Sequence, residues 1–218
     1  MIVGSSPFSD FRRFTSDMTV VNLNGSIARN SPAGIPESHF TFLDLEIVDP
    51  LINREKMNRR EIISKGILKE VALGYVILTQ SNSSKGGDLS LVAGNYTKSI
   101  FIGKKLRRLI VLSVSKNLNL DKRRDGKLST GGFAIAFVAA FRPKSIYLTG
   151  FSFFKLQNSD DPPHFYDKNL LLDDRELTDT RSHSLADSLL ISSLAVKGLA
   201  MESDDRDLKP LISNWGTR

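Results

Sequence analysis

Short apolar runs rich in Val, Ile and Leu recur along the chain, with turn residues and helical patterns between them. Apolar runs of about four to eight residues bounded by Gly, Pro, Asn or Ser are typical of strands buried on both faces. Because these runs alternate with helical patterns, we predict an α/β fold with a Rossmann-like, mostly parallel sheet and helices on both faces. The predicted strands are Met1–Val3, Met18–Asn22, His39–Leu43, Tyr75–Leu78, Leu109–Val114 and Ser145–Phe151.

The longest apolar run predicts a buried helix. Phe133–Phe141 is almost wholly apolar, carries several alanines and stops at Arg142-Pro143. A helix without a polar face has to lie between layers, so we expect this one close to the sheet. Three further segments are predicted to be helical: one after Pro7 that includes Phe8, Phe11 and Phe14, one or two basic helices in residues 51–72, and a last helix from His183 to about Met201.

Composition favours one domain over residues 1–218. The chain has 218 residues, 40% of them apolar and 25% charged, which suits a single sizeable core. Cysteine is absent, so disulfides and thiolate chemistry are excluded, and a reducing compartment, the cytoplasm, is predicted. No apolar run approaches the roughly 18 to 20 residues that span a bilayer, so we expect no transmembrane segment.

The net charge of +6 suits an anionic ligand, a nucleic acid or an anionic membrane surface. Basic residues concentrate in two runs, Arg54–Lys69 and Lys104–Lys127. Neither run carries interleaved aromatic residues that stack on bases, which disfavours nucleic acid. Two alternatives stay open: solvated faces, or contact with phosphates and, peripherally, with the inner face of a membrane.

Two glycine-containing turns could hold a phosphate. Ser129-Thr130-Gly131-Gly132 lies at the start of the apolar helix, where unpaired N–H groups and the helix dipole attract anions. Gly4-Ser5-Ser6 follows the first strand and offers the same geometry. Ser or Thr before a helix is also an ordinary N-cap, so both interpretations stay open. In a parallel sheet the two turns can converge on a crevice at the carboxyl ends of the strands.

The chain has three histidines that could exchange a proton near neutral pH. His39 leads into an apolar strand and is interpreted as structural. His164 lies in residues 155–182, a predicted surface loop rich in Asp, Asn and Pro. His183 precedes the last helix with Asp187 four residues on, a spacing that shares a helix face. Each of the latter two is either a general base or a loop or cap residue. The acidic pairs, such as Asp204-Asp205, do not predict a metal site.

Taken in order, these segments resemble the sialyl motifs of the family 29 glycosyltransferases, the sialyltransferases. Val3–Ser6 and Val20–Ser26 resemble the long motif: Asn24 matches its Asn, whereas Asn22 stands where Arg is usual and Ser5 where Asn is usual. Ser129-Thr130-Gly131, the Ala-rich helix and Ile146–Phe151 resemble the short motif. His164-Phe165-Tyr166-Asp167 is similar to the third motif, and His183 to the histidine of the very short motif.

The resemblance implies an inverting transfer of a sugar acid, sialic acid or a Kdo-like sugar, from a CMP-activated donor to a hydroxyl of a glycan or lipid-linked acceptor. It implies no metal and no cofactor. Carried over residue by residue, His183 is the general base and His164 assists the departing phosphate. The nucleotide would be bound by Gly4, Ser5, Ser6, Asn22, Asn24, Ser129, Thr130, Gly131, Gly150 and Phe151.

The chain departs from the family pattern at two points. Asp187 lies one residue short of the acid expected after His183, and Ser188 takes its place. The cysteines that pair the long and short motifs of animal enzymes are missing. Two other functions stay open: a pterin diphosphokinase-like enzyme, in which a Thr-Gly-Gly turn also holds phosphate, and a noncatalytic module that binds polyanions through its basic face.

Overall fold

The computed structural model describes residues 1–4, 10–29, 34–35, 37–44, 68, 71–79, 95–117, 120, 128–151, 174–205 and 208–213, with residues 25, 28, 29, 44 and 174–184 described by their backbone alone. Several predicted features lie outside this set: Ser5, Ser6, His164, most of the basic helices of residues 51–72, and the part of the surface loop up to residue 173.

In the described part of the chain, seven strands form one sheet, and all of them run parallel. The order across the sheet is β5-β4-β3-β2-β1-β6-β7. This confirms the predicted α/β fold with a parallel sheet. The strands are β1 (Ile2–Val3), β2 (Val21–Leu23), β3 (Phe40–Asp44), β4 (Tyr75–Thr79), β5 (Lys98–Ile102), β6 (Ser145–Thr149) and β7 (Ala200–Ser203).

The strand order reverses beside β1. The chain moves outward from β1 through β2 to β5, then returns to place β6 on the other side of β1. In open parallel sheets, ligands bind outside the carboxyl ends of the strands at such a reversal. The topology therefore points to the ends of β1 and β6, which are residues 4 and 150.

Among the described residues, the helices are α1 (Lys104–Ser115), α2 (Thr130–Ala140), α3 (Asp174–Val196), the short α4 (Lys209–Ser213) and a 3-10 helix over Asn24–Arg29. Within this part of the chain, no helix is both long and apolar enough to cross a membrane. Because the helix before a parallel strand runs antiparallel to it, the N-termini of α2 and α3 point toward the carboxyl edge of the sheet.

Helix α2 is the centre of the main core, as its apolar sequence predicts. The Phe42 ring of β3 packs edge-on against Phe133 and Phe137, with centroids 6.1 and 5.4 Å apart. Helices α1 and α3 flank α2 on this face. The opposite face of the sheet is covered by the 3-10 helix, through Ile27, and by the turns of residues 10–18.

One predicted strand is wrong: Leu109–Val114 belongs to helix α1. The buried positions of α1 are Arg107, Val111 and Ser115, which recur at the spacing of a helix. Two of these three are polar, and Leu109 is exposed. Apolar residues therefore do not mark the buried face, and the helical period is hidden.

The two outer strands β5 and β7 were not predicted. Strand β5 is largely exposed and contains Lys98, so it lacks the apolar pattern of a buried strand. Strand β7 falls where the last helix was expected to continue. That helix ends at Val196, and Gly198 follows with φ 79°, a left-handed conformation that lets the chain leave a helix.

Two further expectations are corrected. Residues 174–182 were predicted as surface loop, but α3 begins at Asp174, so His183 lies inside a helix and does not open it. Acidic residues are favourable in the first turn of a helix because they interact with its dipole. In the sequence, the same residues made this segment look like a polar loop. In the predicted first helix, residues 10–18 form turns, and the Thr15 hydroxyl donates to Asp17 at 2.6 Å.

Candidate functional site

The ends of β1 and β6 meet at two glycines. The Gly4 N–H donates to the carbonyl of Thr149 at 2.8 Å. A β-carbon at Gly4 would lie 2.8 Å from the carbonyl carbon of Gly150, nearer than real β-carbons come. Gly150 itself has φ 76°, which favours glycine. Both residues are therefore required by backbone geometry at the point where the strand order reverses.

The start of α2 comes to the same place. A β-carbon at Gly131 would lie 2.9 Å from one edge of the Phe151 ring and 3.1 Å from the Leu23 side chain. A β-carbon at Gly4 would lie 3.2 Å from the other edge of that ring. Gly4 and Gly131, one from each glycine turn identified in the sequence, thus converge on Phe151 at the carboxyl edge of the sheet.

Ser129 caps α2 and joins it to α3. Its hydroxyl accepts the N–H of Gly132 at 2.9 Å, and its own N–H donates to Asp187 Oδ1 at 3.0 Å. The same hydroxyl donates to Asp187 Oδ2. A β-carbon at Gly132 would lie 2.6 Å from Cγ of the buried Asp187. Of the two interpretations of Ser129, the structure shows the N-cap, with its hydroxyl already engaged.

The cap leaves two donors at the helix start. Ser129 takes the N–H of Gly132, and in the described part of the chain the N–H groups of Thr130 and Gly131 have no hydrogen-bond partner. The first N–H groups of any helix lack intrahelical partners. Two such donors, together with the helix dipole, favour an anion such as phosphate at a helix start.

Helix α3 brings residue 183 to this start of α2. His183 lies one helical turn before Asp187, and residues four apart share a face of a helix. The Asp187 face is turned toward Ser129. The backbone of residue 183 therefore lies beyond Asp187 in the direction of the carboxyl edge.

The end of β2 contributes two asparagines. Asn22 is fully buried, and its Oδ1 accepts from the Ser26 hydroxyl at 3.2 Å, while its Nδ2 is buried without a partner. Asn24 follows β2 with φ 50°, a left-handed conformation that asparagine tolerates better than most residues. A buried unsatisfied amide is a group that a bound ligand or a water could satisfy.

Thr149 accepts hydrogen bonds from Gly4 and Asp10, the two residues that flank residues 5–9. Its carbonyl accepts from the Gly4 N–H, and its hydroxyl oxygen accepts from the Asp10 N–H at 2.8 Å. The hydroxyl donates in turn to Asp204 Oδ2 at 3.1 Å. The ends of the segment that contains Ser5 and Ser6 are thus tied to one residue of β6.

Three supporting residues were not identified from the sequence. Asp205 accepts the N–H of Phe151 at 2.7 Å, and Asp204 accepts from Thr149, so this acidic pair fixes the end of β6. Arg107 donates to the carbonyl of Leu128 at 2.6 Å, and its guanidinium lies 4.8 Å from the Phe133 ring centre. The pair follows β7, which the sequence did not reveal. Arg107 lies in a basic run for which the sequence left open solvated faces or contact with phosphates and a membrane, neither of which is the contact that it makes with Leu128.

Burial raises the pKa of the Asp204 carboxyl, with opposing hydrogen bonds from its own backbone and Thr149. Burial, together with the charges of Asp204 and Asp10, raises the pKa of Tyr147. Asp10 behaves oppositely, because a hydrogen bond from the Arg12 side chain lowers its pKa to about 2. Asp204 is therefore a carboxylate whose ionisation opposes folding.

We expect Asp204→Asn to flatten the stability profile of the protein above pH 4. Because the pKa of Asp204 is higher in the folded protein than in the unfolded chain, the free energy of unfolding falls as pH rises from the unfolded pKa, 3.8, through the folded pKa. Above the folded pKa, this loss of stability stays constant. The amide removes this cost, which we expect to be below about 1 kcal/mol at a half-exposed site. Urea unfolding between pH 4 and pH 7 measures it, and this range avoids the titration of Asp10. Equal slopes for both proteins would contradict the assignment.

We expect Ser129→Ala to destabilise the protein by about 1–2 kcal/mol, because it removes an N-cap and a donor to a buried carboxylate. In a double-mutant cycle, we expect a coupling energy of at least about 0.5 kcal/mol between Ser129→Ala and Asp187→Asn. Ser113→Ala is the control: Ser113 is exposed and bonds within α1, so about 0.5 kcal/mol or less is expected. Additive effects of the Ser129 and Asp187 changes would argue against a shared contact.

No protein-family model matches the chain, and no curated protein matches it by sequence. Solved structures do match. The sialyltransferase CstII from Campylobacter jejuni, in complex with the substrate analogue CMP-3FNeuAc, aligns with 97% of this chain and 84% of its own, at 15% identity and a TM-score of 0.51. The monofunctional alpha-2,3-sialyltransferase Cst-I from the same organism aligns with 96% of this chain and 77% of its own, at 14% identity and a TM-score of 0.52.

A further CstII structure, in complex with a trisaccharide acceptor and CMP, aligns with 97% of this chain and 84% of its own, at 12% identity and a TM-score of 0.50. The chain therefore has the fold of these sialyltransferases over nearly its whole length. The resemblance to sialyltransferases that the sequence motifs carry is confirmed at the level of the fold.

Proposed function

We propose that the protein is a glycosyltransferase that transfers a sugar acid from a CMP-activated donor to a hydroxyl group of a glycan. The observation that carries this proposal is the meeting of Gly4, the start of α2 and Asp187 of α3 at the carboxyl edge of the sheet. Residue 183 lies one helical turn before Asp187. Solved proteins of the same fold bind CMP and, in one case, a trisaccharide acceptor, which supports the choice of ligands.

The donor phosphate would be held at the start of α2. The N–H groups of Thr130 and Gly131 and the positive end of the helix dipole favour a phosphate there. Asn22 Nδ2, a buried donor without a partner, lies at the end of β2, two strands from β6. In this proposal Ser129 acts indirectly, since its hydroxyl is bound to Asp187 and orients the helix start.

The proposed reaction is a single displacement. The acceptor oxygen forms a bond to the anomeric carbon as the bond from that carbon to the phosphate oxygen breaks, so the configuration inverts. The acceptor proton passes to the imidazole of His183, and the electron pair of the broken bond leaves on CMP. The leaving phosphate is already an anion, so hydrogen-bond donors serve to stabilise it, and His164 is proposed to assist. The proposed mechanism uses no metal ion.

Calorimetry with CMP in the presence of EDTA tests the donor site, and CMP release from CMP-sialic acid or CMP-Kdo with candidate acceptors tests the reaction. We expect CMP to bind without metal and one of the two donors to turn over. Absence of CMP binding would contradict the proposal. Mg²⁺-dependent consumption of ATP would favour a diphosphokinase-like enzyme instead, and strongly salt-dependent binding of polyanions alone would favour a noncatalytic module.

A further inference from the structure

One described segment of the chain, residues 95–117, is basic and contains no acidic residue. We call residues 95–117, which comprise β5, Gly103 and α1, the β5–α1 edge. Within it stand six basic residues and no Asp or Glu. Arg107 is buried and Arg108 half-buried, which leaves four exposed lysines: Lys98, Lys104, Lys105 and Lys116.

The same edge exposes large apolar side chains. Leu109 is 62% exposed and Leu106 is 50% exposed on α1, while Phe101 and Ile100 of β5 are 43% and 41% exposed. Single exposed apolar residues are normal on protein surfaces, but four within ten residues among lysines are a composition typical of membrane-surface segments.

These residues lie next to one another. Leu106 and Leu109 are three apart on α1, and Lys105 and Leu109 are four apart, so they share one side of the helix. Gly103 joins the helix directly to β5, and a β-carbon there would lie 3.7 Å from the Phe101 ring. Phe101 therefore lies close to the first turns of α1, which carry Lys104, Lys105, Leu106 and Leu109. Ile100 faces the opposite side of the sheet from Phe101, because successive side chains of a strand alternate.

The position of two lysines is unfavourable for the helix itself. Lys104 and Lys105 occupy the first turn of α1, which has no acidic residue. Cations at this end oppose the helix dipole, so the pair does not serve the stability of α1. The two lysines add their charges to the positive end of the helix dipole. The resulting positive potential favours the binding of an anionic surface.

We propose that the β5–α1 edge binds the surface of an anionic lipid bilayer. The lysines would contact anionic headgroups, and the leucines and Phe101 would insert among the acyl chains just below them. A second copy of the chain is the less suitable occupant, because a symmetric dimer would place the lysines of one copy against the same lysines of the other.

The carboxyl end of β5 and the start of α1 lie at the same edge of the sheet as the candidate site. Four strand spacings, about 19 Å, separate β5 from β1. Bilayer binding itself does not depend on the proposed function.

Co-sedimentation with lipid vesicles tests this surface, using phosphatidylcholine alone and phosphatidylcholine mixed with phosphatidylglycerol. We expect binding to the anionic vesicles only. Lys104→Gln with Lys105→Gln should weaken binding about 25-fold, at roughly fivefold per lysine. Leu106→Ser with Leu109→Ser should weaken it about 10-fold or more, because the inserted apolar area is lost.

Matched variants remove the same chemistry elsewhere. Lys144→Gln with Lys209→Gln removes two exposed charges, and Val196→Ser removes an exposed apolar side chain of α3. We expect both to bind anionic vesicles nearly as the unchanged protein does. All variants should keep their melting temperature and CMP affinity, which separates this test from that of the proposed function.

Three results would overturn the proposal: equal binding to both kinds of vesicle, an equal loss in the matched variants, or unchanged binding after the leucine substitutions. If the leucine variants bind normally and soluble DNA displaces the vesicles, the surface is a general polyanion site.

Discussion

Replacing His183 by alanine is expected to lower the turnover of the CMP-activated donor by about 10²- to 10⁴-fold, the range typical for loss of a general base. The backbone of His183 lies one turn from Asp187, which binds the cap of the proposed phosphate helix. Affinity for CMP should remain nearly unchanged, because the donors at the start of α2 are untouched. Steady-state kinetics and calorimetry on the same preparation measure the two effects.

His39→Gln is the matched control for this prediction. His39 Nδ1 accepts the N–H of Val20 at 3.2 Å, which confirms that its role is structural, and we expect turnover close to that of the unchanged protein. The pH–rate profile adds a second readout, since loss of the base should remove the acidic limb, on which turnover falls as the base becomes protonated. Unchanged turnover after His183→Ala would exclude His183 as the base and leave the proposed donor site to be judged by CMP binding.

Replacing Gly4 by alanine is expected to destabilise the protein by about 3 kcal/mol, at the upper end of overpacking effects. The added methyl would collide with the backbone of Gly150, and neither strand end can rotate away as a side chain could. Because both ends of residues 5–9 are tied to Thr149, the shift should also weaken CMP binding. Urea unfolding and calorimetry measure the two effects.

Gly103→Ala provides the control for a glycine-to-alanine change. Gly103 has an ordinary extended conformation before α1, and its added methyl would make a normal contact of 3.7 Å with Phe101. We expect stability to change by about 0.5 kcal/mol or less. If Gly4→Ala behaved like this control, the close approach of β1 and β6 would not be a constraint on the site.

The elements that the sequence predicts well are those that are mostly buried. Helix α2 is apolar at nearly every position, and strands β3, β4 and β6 each have at least three apolar residues among five, so each could be identified from its own residues. The glycine turns were also identifiable, because a strand followed by Gly and a helix preceded by Ser-Thr-Gly are local signals. Their convergence followed from the parallel topology.

The features that the sequence did not reveal depend on contacts with residues far away along the chain. Arg107 lies in a basic run, and only the fold shows that it contacts Leu128 and the Phe133 ring. Asp187 was noted for its spacing from His183, but its contact with Ser129 is made across 58 residues. Strand β7 is short and half-exposed, and it is a strand because β6 lies beside it. The roles of Ser5, Ser6 and His164 stay predictions.

Strand β1 has only two residues, yet it joins the two halves of the sheet: Ile2 pairs with Val21 on one side and with Leu148 on the other. Contacts between residues so distant in sequence form slowly, because a long stretch of chain must be ordered before they bring any gain. We therefore expect the amides of residues 145–149 to gain protection late in refolding when followed by pulsed hydrogen exchange. Protection there as early as in α2 would contradict this order of events. Before β6 pairs with β1, Gly150 does not lie beside Gly4 and the candidate site is not assembled. We therefore expect the chain to have no affinity for CMP until this pairing has formed.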